Sequence, residues 1–121
     1  MDIMTQDEFD ALPVVDGVRQ CPTADYTQIA MRGEIYKFGE ICLLGDYYTF
    51  GDYCVFGDGC VFGNRCDFCD YCVFGAGCEF GPGCDFGERC DFGERCEFGE
   101  RCEFGARCEF GDGCSFRGGE A

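Results

Sequence analysis

A six-residue period runs without interruption from Phe38 to Phe116. Every sixth residue is phenylalanine or, once, leucine, and a second column four residues later is cysteine at every step except Tyr48. Glycine follows the first column at nearly every step, with Cys69 and Arg117 as the departures. This period excludes an amphipathic helix, in which apolar residues recur at intervals of three and four.

Each repeat contains a Cys-x-Phe stretch, in which two apolar side chains are separated by one residue. Because side chains alternate between the two sides of a strand, both apolar residues face inward and the residue between them faces solvent. In the later repeats these outward positions are acidic: Asp67, Glu79, Asp85, Asp91, Glu97, Glu103 and Glu109. The glycine after each Phe indicates a corner that needs either a positive φ or room for a crowded backbone.

The unit Phe-Gly-x-x-Cys-x resembles the hexapeptide-repeat family, whose units read aliphatic-Gly-x-x-small-x. The resemblance covers about residues 32–118, and the Phe/Cys variant is similar to phage and bacterial proteins without an assigned activity. It implies an all-β fold, a left-handed parallel β-helix, which is a triangular solenoid with three units per coil and about five coils here. Residues 18 apart then stack at the strand spacing of about 4.8 Å.

Residues 1–31 differ from the repeats and are predicted to form a separate segment. Thr5 precedes Glu8 by three residues, a capping-box pattern for a short helix that ends before Pro13. Because the apolar end of a solenoid needs a cover, we expect this segment to cap the first coil, with docking onto a partner as the alternative. We expect residues 32–118 to form the β-helix and residues 119–121 a C-terminal tail.

The chain contains 14 cysteines and no histidine. The amino terminus lacks the basic and apolar stretches of a secretory signal, and no segment is long enough to span a membrane. We therefore expect a cytoplasmic protein, located in the host cytoplasm or the virion if it is phage-encoded, with reduced thiols. The repeat cysteines are then predicted to be small, polarizable packing partners for the aromatic rings.

One group of cysteines has a spacing known from metal sites. Cys66, Cys69 and Cys72 read C-x2-C-x2-C, as in iron–sulfur proteins. In the repeat register, however, Cys66 and Cys72 point inward on different faces, while Cys69 takes the place of a corner glycine. The three sulfurs therefore do not converge, and we predict no metal and no cofactor. Cys69 is the candidate exposed thiol and the one expected to react first.

Many hexapeptide-repeat proteins are trimeric acyltransferases, and others are zinc carbonic anhydrases. The resemblance implies that both chemistries depend on histidine, as the base or as the metal ligand. This chain has no histidine and lacks an inserted loop that could enclose a substrate. We therefore expect a non-enzymatic protein without catalytic residues.

The outward positions near the start of the repeats are apolar and favour a protein-binding function. These interface candidates are Leu43, Tyr47, Tyr53, Val55, Val61, Tyr71 and Val73. An apolar patch of this kind is typical of a contact with a protein partner or with further copies of the chain. Our main hypothesis is a structural or assembly module that forms a homo-oligomer or binds another protein.

The net charge of −15 argues against direct binding of nucleic acid, because phosphate contacts need Lys and Arg. The outward acids instead form ladders of like charge, which suggest an acidic decoy that occupies the DNA groove of a basic DNA-handling protein. Corner arginines such as Arg89, Arg95, Arg101 and Arg107 weaken this alternative, since they can screen the acids. A lesser alternative is an oligomer that sequesters a small anionic ligand, aided by Arg65 and Arg32. No membrane partner is expected.

Overall fold

The computed structural model describes residues 1–31 and 34–117. Within these residues it contains one short helix and fifteen short strands. Helix α1 spans Gln6–Asp10, and the strands are β1 Val14–Val15, β2 Val18–Cys21, β3 Ile35–Phe38, β4 Thr49–Phe50, β5 Val55–Phe56, β6 Val61–Phe62, β7 Asp67–Phe68, β8 Val73–Phe74, β9 Glu79–Phe80, β10 Asp85–Phe86, β11 Asp91–Phe92, β12 Glu97–Phe98, β13 Glu103–Phe104, β14 Glu109–Phe110 and β15 Ser115–Phe116.

Every third repeat strand pairs in parallel, so that the strands form three sheets. Face 1 is built from β3, β5, β8, β11 and β14, face 2 from β6, β9, β12 and β15, and face 3 from β4, β7, β10 and β13. The register pairs Phe56 with Phe74, 18 residues later. The predicted parallel solenoid of about five coils, with three units in each coil, is thereby confirmed. Its left-handed sense stays a prediction from the resemblance.

The aromatic column of each face forms a continuous stack in the core. The rings of Phe74 and Phe92 lie 4.8 Å apart and within 3° of parallel. Rings on neighbouring faces meet edge to face, as Phe74 and Phe80 do at 5.1 Å and 83°. Because a fully buried Phe contributes about 1.5–3 kcal/mol, these three columns supply most of the apolar stabilisation.

Of the two roles considered for the corner glycines, crowding is the correct one. A Cβ atom placed on Gly93 would lie 2.6 Å from the backbone nitrogen of Ala76 in the preceding coil. The positive φ falls instead on the residue two positions later, for example 58° at Arg95. Glycine is therefore needed at corners such as Gly93 because the preceding corner lies too close for a Cβ atom.

The inward thiols act as hydrogen-bond donors as well as fillers. The Sγ atom of Cys78 donates to the carbonyl oxygen of Gly57, in the preceding coil, at 3.4 Å. The same bond recurs from Cys60 to Cys114 at each inward cysteine, with lengths between 3.2 and 3.5 Å. Cysteine thus provides a small side chain and a weak donor for a corner carbonyl at the same time.

The N-terminal segment lies on the first coil. Helix α1 begins with the predicted capping box, in which Thr5 and Glu8 each accept a hydrogen bond from the other's backbone N–H. Phe9 is buried, and its ring centroid is 5.8 Å from that of Tyr36 at the first coil. The apolar end of the core is therefore covered on this side. The boundary at residues 32 and 33 and the predicted tail at residues 119–121 lie outside the described residues.

The segment also continues face 1, because β2 pairs in parallel with β3. The buried Arg19 side chain on β2 forms a bidentate ion pair with Glu34, with a shortest N–O distance of 2.9 Å. The same guanidinium donates to the carbonyl oxygens of Phe9, Asp10 and Leu12 around the end of α1. The hydrogen bond to Glu34 raises the pKa of Arg19, so the guanidinium stays positively charged.

The opposite end of the solenoid is more open. Phe110, in the last coil, has 37% of its surface exposed, and Phe104 and Phe116 are half-buried. Residues 102, 108 and 114, the last cysteine of each inward column, are likewise only partly buried. The core side chains are therefore more completely buried in the middle coils than in the last coil.

Candidate functional site

The register divides the apolar outward residues into separate places. Val55 and Val73 are neighbours on face 1, paired between β5 and β8. Tyr53 and Tyr71 each precede one of these valines by two residues, at the corner that leads into face 1. These four residues form one continuous patch, which we call the Tyr–Val surface.

Three candidates lie elsewhere. Leu43 and Val61 pair on face 2 and are only half-buried. Tyr47 is 70% exposed at the corner between faces 2 and 3. The seven apolar candidates therefore do not form one interface, and the Tyr–Val surface is the largest group among them.

The two tyrosines of the Tyr–Val surface are stacked in the open. Their ring centroids are 5.0 Å apart and the rings are within 8° of parallel. Tyr53 is 56% and Tyr71 41% exposed, and the flanking Val55 and Val73 are 37% and 41% exposed. The guanidinium of Arg89, the next residue of this column, lies 5.9 Å from the Tyr71 ring centroid and ends the stack.

The backbone does not require tyrosine at this corner. Tyr53 and Tyr71 both have φ of 65°, in the left-handed region that favours glycine. The equivalent corner position is glycine at Gly59, Gly77 and Gly83. Large side chains also occupy this position at Tyr47, Arg65 and Arg89, so the feature particular to Tyr53 and Tyr71 is their exposed, stacked rings.

Sequence reasoning missed one part of this patch. Ile35 lies 18 residues before Tyr53 and is 36% exposed at the start of β3. The period extended one coil backward would have found it, but the degraded repeat there hides the register. Lys37 then follows on face 1, exposed and paired with Val55. The apolar patch thus has a basic residue at its N-terminal edge.

The acidic residues form ladders of like charge on all three faces. On face 3, Asp85 pairs with both Asp67 and Glu103. Face 2 pairs Glu79 with Glu97, and face 1 pairs Asp91 with Glu109. Partial burial, together with the charges of Asp67 and Glu103, raises the pKa of Asp85.

Two corner arginines contact the acid that precedes them. Arg95 is 3.8 Å from Glu94, and Arg101 is 4.0 Å from Glu100. All four side chains are more than half exposed, so these ion pairs contribute little to stability. They screen the corners rather than the ladders on the faces.

The C-x2-C-x2-C cysteines occupy three different environments. Cys66 and Cys72 are buried beneath faces 3 and 1, whereas Cys69 is exposed at the corner between them. Partial burial, followed by the nearby charges of Asp52 and Asp70, raises the pKa of Cys69. Over residues 1–31 and 34–117, no group of three or more Cys, Asp or Glu side chains is placed to hold a metal ion.

The surface around Arg65 offers a shallow recess of about 380 Å³. It is lined by Arg65 and Arg101 but also by Asp85 and Glu103. An anionic ligand would meet two carboxylates there, which gives the ligand-sequestering alternative little support. Arg32, the other arginine considered for it, lies outside the described residues.

No helix in the described part of the chain has the length and apolarity needed to cross a membrane. Comparison of the chain with models of known protein families, with curated proteins and with solved structures returned no match.

Proposed function

We propose that this chain is a non-enzymatic β-solenoid that binds a protein through its Tyr–Val surface and acts as an assembly module. The observation that carries the proposal is the exposed stack of Tyr53 on Tyr71 beside Val55 and Val73. Aromatic residues are enriched in the cores of protein interfaces, and tyrosine supplies a large contact area with few rotatable bonds. The underlying sheet holds these side chains at fixed spacing.

The rest of the surface supports a binding role over catalysis. Histidine is absent from the chain, so that the commonest general base and neutral metal ligand are missing. The Tyr–Val surface is a raised ladder of side chains rather than a cleft. Such a surface suits a macromolecular partner better than a small substrate.

The proposal is tested by placing a photo-cross-linking amino acid, p-benzoylphenylalanine, at Tyr71 in cells that naturally produce the chain. Position 47 provides the matched control, because Tyr47 is also an exposed corner tyrosine but lies away from face 1. We expect defined protein adducts from position 71 and none from position 47. Adducts of equal yield at both positions, or none at position 71, would contradict the proposal.

A second pair of variants tests the same surface by charge. Val73→Glu introduces a carboxylate into the patch, whereas Val61→Glu makes the same change on face 2. We expect Val73→Glu to abolish cross-linking from position 71 and Val61→Glu to leave it intact. Unfolding measurements on both variants separate lost binding from lost structure.

The acidic ladders favour a second candidate function, the decoy for a DNA-handling protein. Its supporting observation is the stacking of Asp67, Asp85 and Glu103 on one face. If the ladder is functional, the protein competes with duplex DNA for a basic DNA-binding protein at low salt and loses this competition at high salt. Neutralising all three residues to amides should remove the competition while cross-linking from position 71 persists.

A further inference from the structure

Face 1 changes character along the axis of the solenoid. Its outward residues are, in spatial order, Lys37, Val55, Val73, Asp91 and Glu109, each paired with the next across adjacent parallel strands. A basic residue therefore lies on one side of the apolar centre and acids lie on the other. This order is self-complementary for two copies that meet face to face with their axes antiparallel.

We propose that the partner of the Tyr–Val surface is a second copy of this chain, in an antiparallel dimer with a two-fold axis between β5 and β8. This inference rests on the proposed function and names the partner of that surface. The two-fold axis lies in the plane of the interface and perpendicular to the solenoid axis. It makes the contact isologous, so the assembly closes at two copies.

The two-fold rotation brings residues of complementary chemistry opposite each other. Val55 meets Val73 of the second copy, and Tyr53 meets Tyr71 of the second copy, because position across the face is preserved while position along the axis is reversed. Lys37 meets Asp91 of the second copy, and the same pair forms again on the other side of the axis. The apolar centre is therefore flanked by two ion pairs at its edges, where such pairs favour orientation and specificity.

Charge also decides between antiparallel and parallel arrangements. The chain carries a net charge of −15, which opposes association in general. A parallel arrangement places Asp91 and Glu109 of one copy beside the same acids of its neighbour. The antiparallel arrangement places Asp91 and Glu109 of the two copies at opposite ends of the dimer and leaves the uncharged Val55 and Val73 of face 1 in the centre.

The corner geometry permits close approach on both sides of face 1. On one side lies the column of Ile35, Tyr53 and Tyr71, all of them exposed. On the other side, the corner after face 1 carries Gly59 and Gly77, and a Cβ added at Gly77 would meet nothing within 4 Å. In the two central coils this corner position therefore has no side chain on the glycine side and a tyrosine ring on the other, and in the dimer each corner meets the same corner of the second copy.

Charge reversal at the two flanking residues provides the test. Lys37→Glu brings a carboxylate opposite Asp91, and Asp91→Lys brings an ammonium opposite Lys37, so each single variant should be monomeric. An equimolar mixture of the two variants restores both pairs and should dimerise, as should the double variant Lys37→Glu with Asp91→Lys. Sedimentation equilibrium gives the masses, and we expect each single change to weaken dimerisation about tenfold or more.

Glu97→Lys on face 2 is the matched control, because it makes the same kind of charge change at the equivalent outward position of the next repeat. It should leave the dimer unchanged. A monomeric wild-type chain at high concentration, a trimer, or a mixture of the single variants that stays monomeric would each overturn the proposal. If position 71 nevertheless cross-links to a different protein, the proposed function stands and only the identity of the partner fails.

Discussion

The thiol of Cys78 donates a hydrogen bond to the carbonyl oxygen of Gly57, one coil earlier, at 3.4 Å. The repetition of this bond along each inward column explains why the small position of the repeat is cysteine. Alanine would leave a gap and an unpaired acceptor, and valine would fill the gap without a donor. The side chain therefore has two roles, which substitution can separate.

Replacing Cys78 tests these roles directly. We expect Cys78→Ala to lower the free energy of unfolding by about 1–2 kcal/mol, because both packing and the carbonyl's partner are lost. Cys78→Ser keeps a donor and should be less destabilising than alanine. Chemical denaturation measures both. Equal or greater stability of the alanine variant would show that the thiol is filler alone.

The corner glycines give a second prediction. Gly93→Ala should destabilise the protein by about 2–3 kcal/mol, because the new Cβ would lie 2.6 Å from the backbone of the preceding corner. Gly39→Ala is the matched control at the same repeat position, where the new Cβ would be 3.4 Å from the backbone nitrogen of Thr23, an ordinary van der Waals contact. Thermal unfolding should show a large loss for the first variant and almost none for the second. Similar losses in both would remove crowding as the reason for glycine.

Cys69 should be the thiol that reacts first in the folded protein. It is the exposed one among the cysteines, and the others are buried or partly buried. Titration with a disulfide reagent under native conditions should show one fast-reacting thiol per chain, and Cys69→Ser should remove that phase. Because the pKa of Cys69 is raised, the fast rate should keep increasing with pH beyond the ordinary thiol range. A fast phase that survives in Cys69→Ser would show that one of the buried or partly buried cysteines becomes accessible to the reagent in the folded protein.

The stacked carboxylates on face 3 predict a stabilising substitution. Asp85→Asn removes the central charge between Asp67 and Glu103, and we expect stability to rise by about 0.5 kcal/mol at low salt. The gain should shrink at high salt, since the repulsion is then screened. Val61→Asn, at an outward position of face 2 between Leu43 and Glu79, removes no charge and is a control that should show no salt-dependent gain. An Asp85→Asn variant that is less stable than wild type would mean that the ladder binds a cation or is otherwise compensated.

Alkaline pH should destabilise the fold. Burial raises the pKa of Cys21 from its ordinary value of 9.0 to about 12. The unfolded chain therefore loses this proton above pH 9.0 while the folded chain keeps it until about pH 12, so stability falls as the pH rises through this window. In Cys21→Ala the free energy of unfolding should fall less steeply between pH 9.0 and about 12, because the contribution of one titrating proton to the slope is removed. An unchanged slope would show that Cys21 ionises equally in both states.

The parts of the fold that could be predicted depend only on the spacing of residues close together in the sequence. A period of six combined with alternation along a strand places Cys78 and Phe80 inward and Glu79 outward without knowledge of any distant contact. The capping box of Thr5 and Glu8 is predictable for the same reason, because its hydrogen bonds join residues three apart. Both features appear in the structure as predicted.

Other features depend on residues that meet only in three dimensions. The role of Arg19 could not be predicted, because its partners are Glu34 and the carbonyls at the end of α1, 7 to 15 residues away in an irregular segment. The choice between a positive φ and crowding at Gly93 depends on how closely two corners stack.

The sequence by itself determined the repeat, the inward columns of ring and thiol, and the outward acids, because each is a property of neighbours within one or two units. The resemblance implied that residues 18 apart stack, but only the tertiary structure established this register, in which Val73 lies beside Val55 while Val61 lies on face 2, and only it showed the exposed stack of Tyr53 on Tyr71. The physical reason is that the corners set the direction of each strand, and a surface exists only where strands from successive coils lie side by side.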